Sequence, residues 1–497
     1  MRFEAITEFL EQARTQGIKL WVSGSRLHFR APAGAMSAAF HAQLRSHRED
    51  IVSALSKPVF VSKGKVGKVP LLPSSLDYWN EVRSGLTDAG VMNRTHFVAK
   101  WIGDFDQPAL QRSVQSLVHR HSILGSRVVE SKGCFEFVFD AEAPCVLEQV
   151  DLSEIAIEKR EDHIQAALAE LVWAPFDLIK PLFRAFVVTV SEREHIAGFV
   201  IHHFIADGWS VRLASAELVQ EYEHYCGRAA APAAPLIQYS DYLDAMAAWL
   251  NSSAAEYRLS FWRRYMASAP CTQLPLDDEL IDHTNTELKC DSFEFGATLT
   301  REIQELAGRL GITVFAVVLA ANFLAFMRLS GASDLTCRVV VSGREDPELL
   351  GMIGNTITFL PVRICLSRQA SHRELLLQVY QASITAVEHH VPCEVLQPVW
   401  SQVGASDISP QFNFINTATG ARPHRTDSTR IDVVQVPAPP ARSRLAVLET
   451  FVSDDGRNIR GGVWYLQGRY TQETVARFVS SFREAASDFT RETIARA

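Results

Sequence analysis

The stretch Ile201-His202-His203-Phe204-Ile205-Ala206-Asp207-Gly208-Trp209-Ser210 stands where an apolar strand pattern (Ile196 to Ile201) gives way to a helical one (Val211 to Tyr225). Neighbouring residues on a strand point to opposite faces. His202 and His203 therefore diverge, so one imidazole is left for chemistry and the other is expected to pack in the wall. Asp207 and Gly208 make the turn that carries the chain away. A histidine at a strand end, near an acid, suits proton handling on a substrate held in a cleft. The same divergence argues against a metal site built from His202, His203 and Asp207.

Working outward, the 497 residues are 47% apolar and 21% charged, which suits ordinary globular cores. The net charge of −8 lacks the basic stripe of a nucleic-acid binder. None of the eight cysteines forms a CxxC pair or has histidines at zinc-ligand spacing, so free thiols in a reducing compartment are expected. The N-terminus mixes Glu4, Glu8 and Glu11 into its apolar pattern, unlike a secretory signal. The most apolar helical run, Ile312 to Met327, contains Asn322 and is too short for a bilayer span. A cytoplasmic protein with no membrane contact is the expectation. No GxSxG supplies a serine nucleophile.

Residues 1–57 read as a separate unit. A helix runs over Glu4–Gln16, with Ile6, Phe9, Leu10 and Ala13 on one face and Gly17 ending it. Two strand-like runs, Ile18–Val22 and Leu27–Arg30, flank Ser23-Gly24-Ser25 as a hairpin. Ser37 can cap a helix through Phe40 and Leu44, and a last helix covers Arg48–Leu55. Residues 58–69, within a basic stretch carrying Lys57, Lys63, Lys65 and Lys68, read as a solvated linker; Gly64 to Lys68 lack phosphate-loop spacing. Beyond it, helical and strand patterns alternate in two sets of similar size, which predicts α/β (α+β) lobes with a cleft between them. We place these lobes at 70–245 and 246–497.

From about Leu71 onward the chain resembles the condensation domains of nonribosomal peptide synthetases. Around His202–Gly208 (HHxxxDG), the resemblance rests on Leu72–Trp79 (LPSSLDYW), Arg120-His121-Ser122-Ile123-Leu124, Pro175–Leu178 with Pro181–Arg184, and Tyr239-Ser240-Asp241-Tyr242. It continues with Val341–Arg344, Ile353–Thr356, Leu360–Arg363 and His389–Glu394. The chain departs from the pattern at Gly125, where the family has Arg, and at Cys393, where it has Phe. Residues 1–57 resemble a TubC-type docking domain through Gly17–Leu27 and Ala31–Gly34.

The resemblance implies two chloramphenicol-acetyltransferase-like lobes in a V-shaped pseudo-dimer, preceded by a small α/β docking domain. The implied reaction joins a carrier-bound acyl or peptidyl thioester to a carrier-bound aminoacyl group. No cofactor is bound; the phosphopantetheine arms come from upstream and downstream carrier proteins. His203 takes the position of the family's catalytic histidine, as general base or as electrostatic positioner. Asp207 either orients His203 or holds the loop through an ion pair, and the resemblance favours the ion pair, with Arg344 as partner. Gly208 gives room for the pantetheine arm or is a plain turn glycine. Trp209, Ser210 and Asn416 are expected along the substrate channel, with Ser210 a helix cap in the alternative. His121 and the His389-His390 pair read as structural. On the hairpin, Lys19, Trp21, Arg26 and Arg30 are the expected docking residues for the C-terminal tail of an upstream synthetase, captured by strand addition. A dimer through this domain is a further expectation. Rival readings are a starter domain acylating an amino acid from acyl-CoA or an acyl carrier, an epimerisation domain, and a non-catalytic docking or gating module.

Overall fold

The computed structural model describes residues 2–24, 26–64, 67–72, 76, 79, 80, 84, 93–267, 269, 272, 274, 285–366, 370–392, 395, 396, 399, 410–417, 429–442 and 448–495. Ser25 of the hairpin, Lys65 of the linker, most of the Leu72–Trp79 motif, and Cys393 and Glu394 lie outside them.

The N-terminal unit is α1 (Arg2–Thr15), the hairpin β1 (Lys19–Ser23) and β2 (Arg26–Arg30), then α2 (Ala38–Ser46) and α3 (Arg48–Leu55). Its core holds the helical face read from the sequence, Ile6, Phe9, Leu10 and Ala13, against Phe40 and Ile51. The Ser37 side chain accepts from the Phe40 amide and caps α2. The unit does not stand apart on a solvated tether. Tyr257 of the body completes its core. Trp249 Nε1 donates to the Ser56 carbonyl at 3.2 Å, and Lys57 pairs with Asp346 at 2.9 Å. The Lys63 backbone N–H donates to Asp241, while its ammonium pairs with Asp244. Phe60 stacks on Tyr242. Lys63 and Phe60 find Asp241, Asp244 and Tyr242 on one helix and Lys57 finds Asp346, so the linker is laid onto the body.

The first lobe follows with β3 (Lys68–Pro70), β4 (Arg94–Gly103), α4 (Gln107–Arg120), β5 (Arg127–Ser131), β6 (Cys134–Val138), β7 (Leu147–Asp151) and α5 (Ile157–Trp173). It continues through β8 (Phe183–Ser191), β9 (Glu194–His202) and α6 (Gly208–Tyr225). A further strand, β14 (Thr429–Val433), arrives from the second half of the chain and pairs antiparallel with β4, so the main sheet runs β14-β4-β9-β8-β7. A smaller sheet runs β3-β6-β5. Strand β9 is central and buried along nearly its whole length, as a strand covered on both faces must be.

The second lobe contains α7 (Tyr239–Leu250), α8 (Ser253–Met266), β10 (Glu287–Glu294), α9 (Gly296–Leu310), α10 (Val314–Ser330), β11 (Asp334–Val341), β12 (Thr358–Cys365) and α11 (His372–Glu388). It ends with β13 (Gln411–Asn416), β15 (Ala441–Arg442), β16 (Leu448–Asp454), β17 (Ile459–Leu466) and α12 (Gln472–Ala495). Its sheet order is β12-β11-β13-β16-β17-β10-β15. The apolar run at Ile312–Met327 forms the buried helix α10, with Asn322 accepting from Thr450 Oγ1 at 2.9 Å. Among the described residues no single helix is long and apolar enough to cross a membrane. Position 245 falls within α7, which touches elements of both lobes.

Gly125, which departs from the expected Arg, has a steric reason. A Cβ there would lie 1.9 Å from the Asp140 carbonyl oxygen, inside any real contact.

Candidate active site

The site begins where β9 ends. Its pairing with β4 and β8 carries His202 to the last rung, opposite Arg94. The His202 amide donates to Leu182 O at 2.9 Å and the His203 amide to Asn93 O at 2.8 Å. Both neighbouring segments thus hold the backbone as the strand breaks off.

The two imidazoles part as strand alternation requires. His202 is 2% exposed. Its Nδ1 accepts from the Phe204 amide at 3.0 Å, and the Phe176 ring meets it edge-on at 5.6 Å. Burial, then the neighbouring His203 and Arg94, push its pKa down to about 3. It is a neutral wall residue. Phe176, from the Pro175–Leu178 motif, is backed by the Arg184 guanidinium at 4.4 Å, which also donates to Ala174 O. That motif forms the packing behind His202.

His203 stays partly accessible. Desolvation holds its pKa below the ordinary value, opposed by a hydrogen bond with its own main-chain carbonyl and by the charge of Asp207. The same carbonyl accepts from Asn355 Nδ2 at 2.9 Å. At neutral pH the ring is therefore unprotonated and able to accept a proton.

Asp207 holds the turn. It is the N-cap of α6, with Oδ1 accepting from the Ser210 amide at 2.7 Å. Arg344 Nη2 reaches its two oxygens at 3.2 and 3.1 Å, with both side chains at most 2% exposed. The Thr356 amide and hydroxyl add contacts at 3.3 and 3.2 Å. Arg344 is itself held by the carbonyls of Leu349, Met352 and Gly354. This closes the circle of partners that a buried ion pair needs. Asp207 turns toward Arg344, and the partner it offers His203 is its charge.

Ser210 departs from the expectation on two counts. It does not cap α6, because Asp207 does. Nor does it line the channel, for it is fully buried. Its hydroxyl sits between Asp207 Oδ1 at 2.7 Å, Gly354 O at 2.8 Å and the Gly354 amide at 3.0 Å. Trp209 and Asn416 lie nearer the surface. Trp209 Nε1 donates to Leu350 O at 2.8 Å, Arg212 stacks 4.8 Å over its ring, and Arg212 also reaches the Asn416 carbonyl at 3.4 Å. A Cβ built on Gly208 meets nothing within 4 Å, so open space lies beside it.

Several groups went unassigned in the sequence. Asn355 and Thr356, on the segment leading into β12, bind the His203 carbonyl and Asp207. Tyr239 supports that segment from below, its hydroxyl donating to Asn355 O at 2.9 Å. The Ile353–Thr356 motif was visible, but nothing local states what an asparagine there will touch.

Other singled-out residues take structural places. His121 Nε2 lies 2.8 Å from Glu217 in the core. His389 stacks on Phe261, and burial drives its pKa down to about 4. On the hairpin, Trp21 is 40% exposed and stacks on His28, while Arg26 and Arg30 are exposed. Lys19 is not available in the way expected, because it is paired with Glu388 at the end of α11. Two unlike charges facing across the seam of two domains meet before any third party arrives.

A condensation-domain family model matches residues 86–496, and a TubC N-terminal docking-domain model matches residues 6–57. Malpinin synthetase of Mortierella alpina is 30% identical over 314 residues, which is 62% of this chain and 4% of that protein. Chondramide synthase cmdD of Chondromyces crocatus is 30% identical over 307 residues, 61% of this chain and 8% of that protein. The chain thus spans less than a tenth of either relative. Among solved structures, the EpoB cyclization-docking bidomain of Sorangium cellulosum superposes with a TM-score of 0.69 at 17% identity, covering 98% of each chain. The first condensation domain of the CDA synthetase gives 0.65 at 20% identity, over 86% of this chain and 97% of that one. These likenesses bear on the fold. The chain belongs to the condensation domain family, and it carries a TubC-type docking domain at its N-terminus.

Proposed function

We propose that this chain joins a carrier-bound acyl or peptidyl thioester to a carrier-bound aminoacyl group, with His203 as the residue that meets the attacking amine. The observation that supports this most is the bracket of Asp207, Arg344, Ser210, Asn355 and Thr356. It fixes the strand end yet leaves one imidazole partly open. The ring nitrogen that can reach its own carbonyl is Nδ1, so Nε2 remains to accept a proton. In the step proposed, the amine nitrogen bonds to the thioester carbonyl carbon, its proton passes to Nε2, and collapse expels the pantetheine thiolate. Nε2 returns the proton to that sulfur. Such general-base help is typically worth ~10²–10⁴-fold.

His202, Asp207, Gly208 and Arg344 support the site, and Trp209 and Asn416 stand at its approach. The step needs no resident cofactor or metal; the two phosphopantetheine arms belong to the carrier partners. Trp21, Arg26 and Arg30 form the docking face for an acidic C-terminal tail of an upstream subunit, joined by Lys19 when it leaves Glu388. The proposed divisions are 1–57, 58–69, 70–245 and 246–497. The setting proposed is the cytoplasm, with a dimer through the docking domain.

The test mixes the chain with an acyl-loaded donor carrier, or with acyl-CoA, and an aminoacyl-loaded acceptor carrier. Intact-mass detection should find a new amide on the acceptor, lost with His203→Ala. Product from acyl-CoA alone would favour the starter reading. No product from any donor would favour a non-catalytic docking or gating module.

A further inference from the structure

One face of the second lobe's sheet carries the helices. Phe412 packs on Phe315 of α10, Thr450 bonds Asn322 of α10, and Phe293 meets Phe482 of α12. Residues one position along each strand point the other way. On that opposite face the register aligns Arg338, Gln411, Glu449, Trp464 and Cys290 in one row across five strands. The next row is Asn413, Phe451, Gly462 and Ser292. Gly462 matters here, because a Cβ would lie 2.4 Å from Cys290 Sγ and fill the space between the rows. An open groove of about 960 Å³ lies at this end of the sheet, lined by Cys290, Ser292, Phe451, Gly462 and Trp464 and, from the helix side, by Phe293 and Arg483.

Trp464 and Cys290 bring the first row to the groove, and the rest of that row with Asn413 forms a mixed polar cluster beside it. Asn413 Nδ2 donates to Glu449 Oε1 at 3.3 Å. Burial pushes the Glu449 carboxyl up, opposed by hydrogen bonds from Asn413 and Gln411 and by the charge of Arg338. Strand β13 runs from this cluster to Asn416, whose carbonyl meets Arg212 near the start of α6, just past the His203 loop. Five residues of strand separate Gln411 from Asn416, about 17 Å. A single aminoacyl unit spans about 3.5 Å, so a donor following β13 inward from Asn416 would need several units to meet the row.

We propose that the Arg338–Gln411–Asn413–Glu449 cluster, with Trp464 beside it, is a specificity site that reads the amide groups of an extended peptidyl donor and disfavours an aliphatic acyl donor of equal length. This rests on the amide-forming reading above. A peptide alternates N–H donors with carbonyl acceptors. The cluster offers a carboxylate to the first, a guanidinium to the second, and carboxamides to both. A methylene chain offers neither and would strip water from these groups without replacing its hydrogen bonds.

The test loads one donor carrier with a tetrapeptidyl and another with a dodecanoyl group and measures single-turnover amide formation on the same acceptor. The full chain should favour the tetrapeptide about tenfold or more. Glu449→Leu and Gln411→Leu should each cut that preference to about threefold or less, while Glu449→Gln keeps most of it. A preference unchanged in both leucine variants overturns the proposal, as does a full chain that favours dodecanoyl. If the full chain makes no amide from either donor, or His203→Ala makes it as fast, the amide-forming reading itself falls and takes the proposal with it.

Discussion

The Asp207–Arg344 bracket and the seat of the docking domain solve the same task, holding two parts of one chain together, by opposite means. In the bracket, the charges are at most 2% exposed and nearly every polar atom around them has a named partner. At the seat, a small apolar core closed by Tyr257 is ringed by half-open contacts: Lys19–Glu388, Arg264–Glu11 at 3.5 Å, and Ser53–Ser253 at 2.6 Å. A buried pair loses heavily when one member goes, because the other is stranded away from water. An exposed pair is screened by solvent and contributes ~0–1 kcal/mol. The bracket holds its geometry through buried, mutually dependent charges, and the seat through a small core and individually weak contacts.

The comparison breaks most directly at its centre. His203→Ala should slow amide formation by ~10²–10⁴-fold with little change in the thermal midpoint, since the ring projects from the bracket and is no part of it. Equal slowing and unfolding would make His203 a structural residue. Asp207→Ala should cost about 3–5 kcal/mol in a urea titration, because Arg344 is left buried and unpaired. A cost under about 1 kcal/mol would place the bracket in the class of the seat. Gly125→Ala should destabilise by about 1–3 kcal/mol by forcing apart the Asp140 carbonyl, again read by urea melting.

Acid should separate the two regions by a different route. His202 has a folded pKa of about 3 against 6.5 when free, so the unfolded chain binds its proton first as pH falls. The stability from its neutral burial is full above 6.5 and declines as pH drops toward 3. Melting temperature should fall across that window, and His202→Asn should flatten the fall. Smallest of all, Glu388→Gln should change stability by less than about 1 kcal/mol in low salt and by less still in high salt. The same change should leave Lys19 freer to meet an acidic peptide, read as tighter binding by fluorescence of Trp21.

Much of this was legible in the residues. The period-two rule alone separates His202 from His203, and the helical face of α1 names its own buried residues. Arg344 was reachable only through likeness to a family, since 137 positions separate it from Asp207. Asn355 was not reachable as a ligand of the His203 carbonyl, 152 residues away, because no local propensity encodes such a contact. Ser210 takes neither expected role because Asp207, three residues earlier, already caps α6 and the Ser210 hydroxyl bonds Gly354, 144 residues away. Strand β14 escaped notice for a related reason. Five residues declare a strand at best, and never the sheet they will join.

That short strand has a mechanical consequence. Thr429–Val433 leaves the half of the chain that builds the second lobe and zips five residues into the first lobe's sheet against β4. The halves are laced together by backbone, so they cannot swing wide without unpicking main-chain hydrogen bonds. Under the reaction proposed, a tethered reactant would enter between halves whose separation those hydrogen bonds limit.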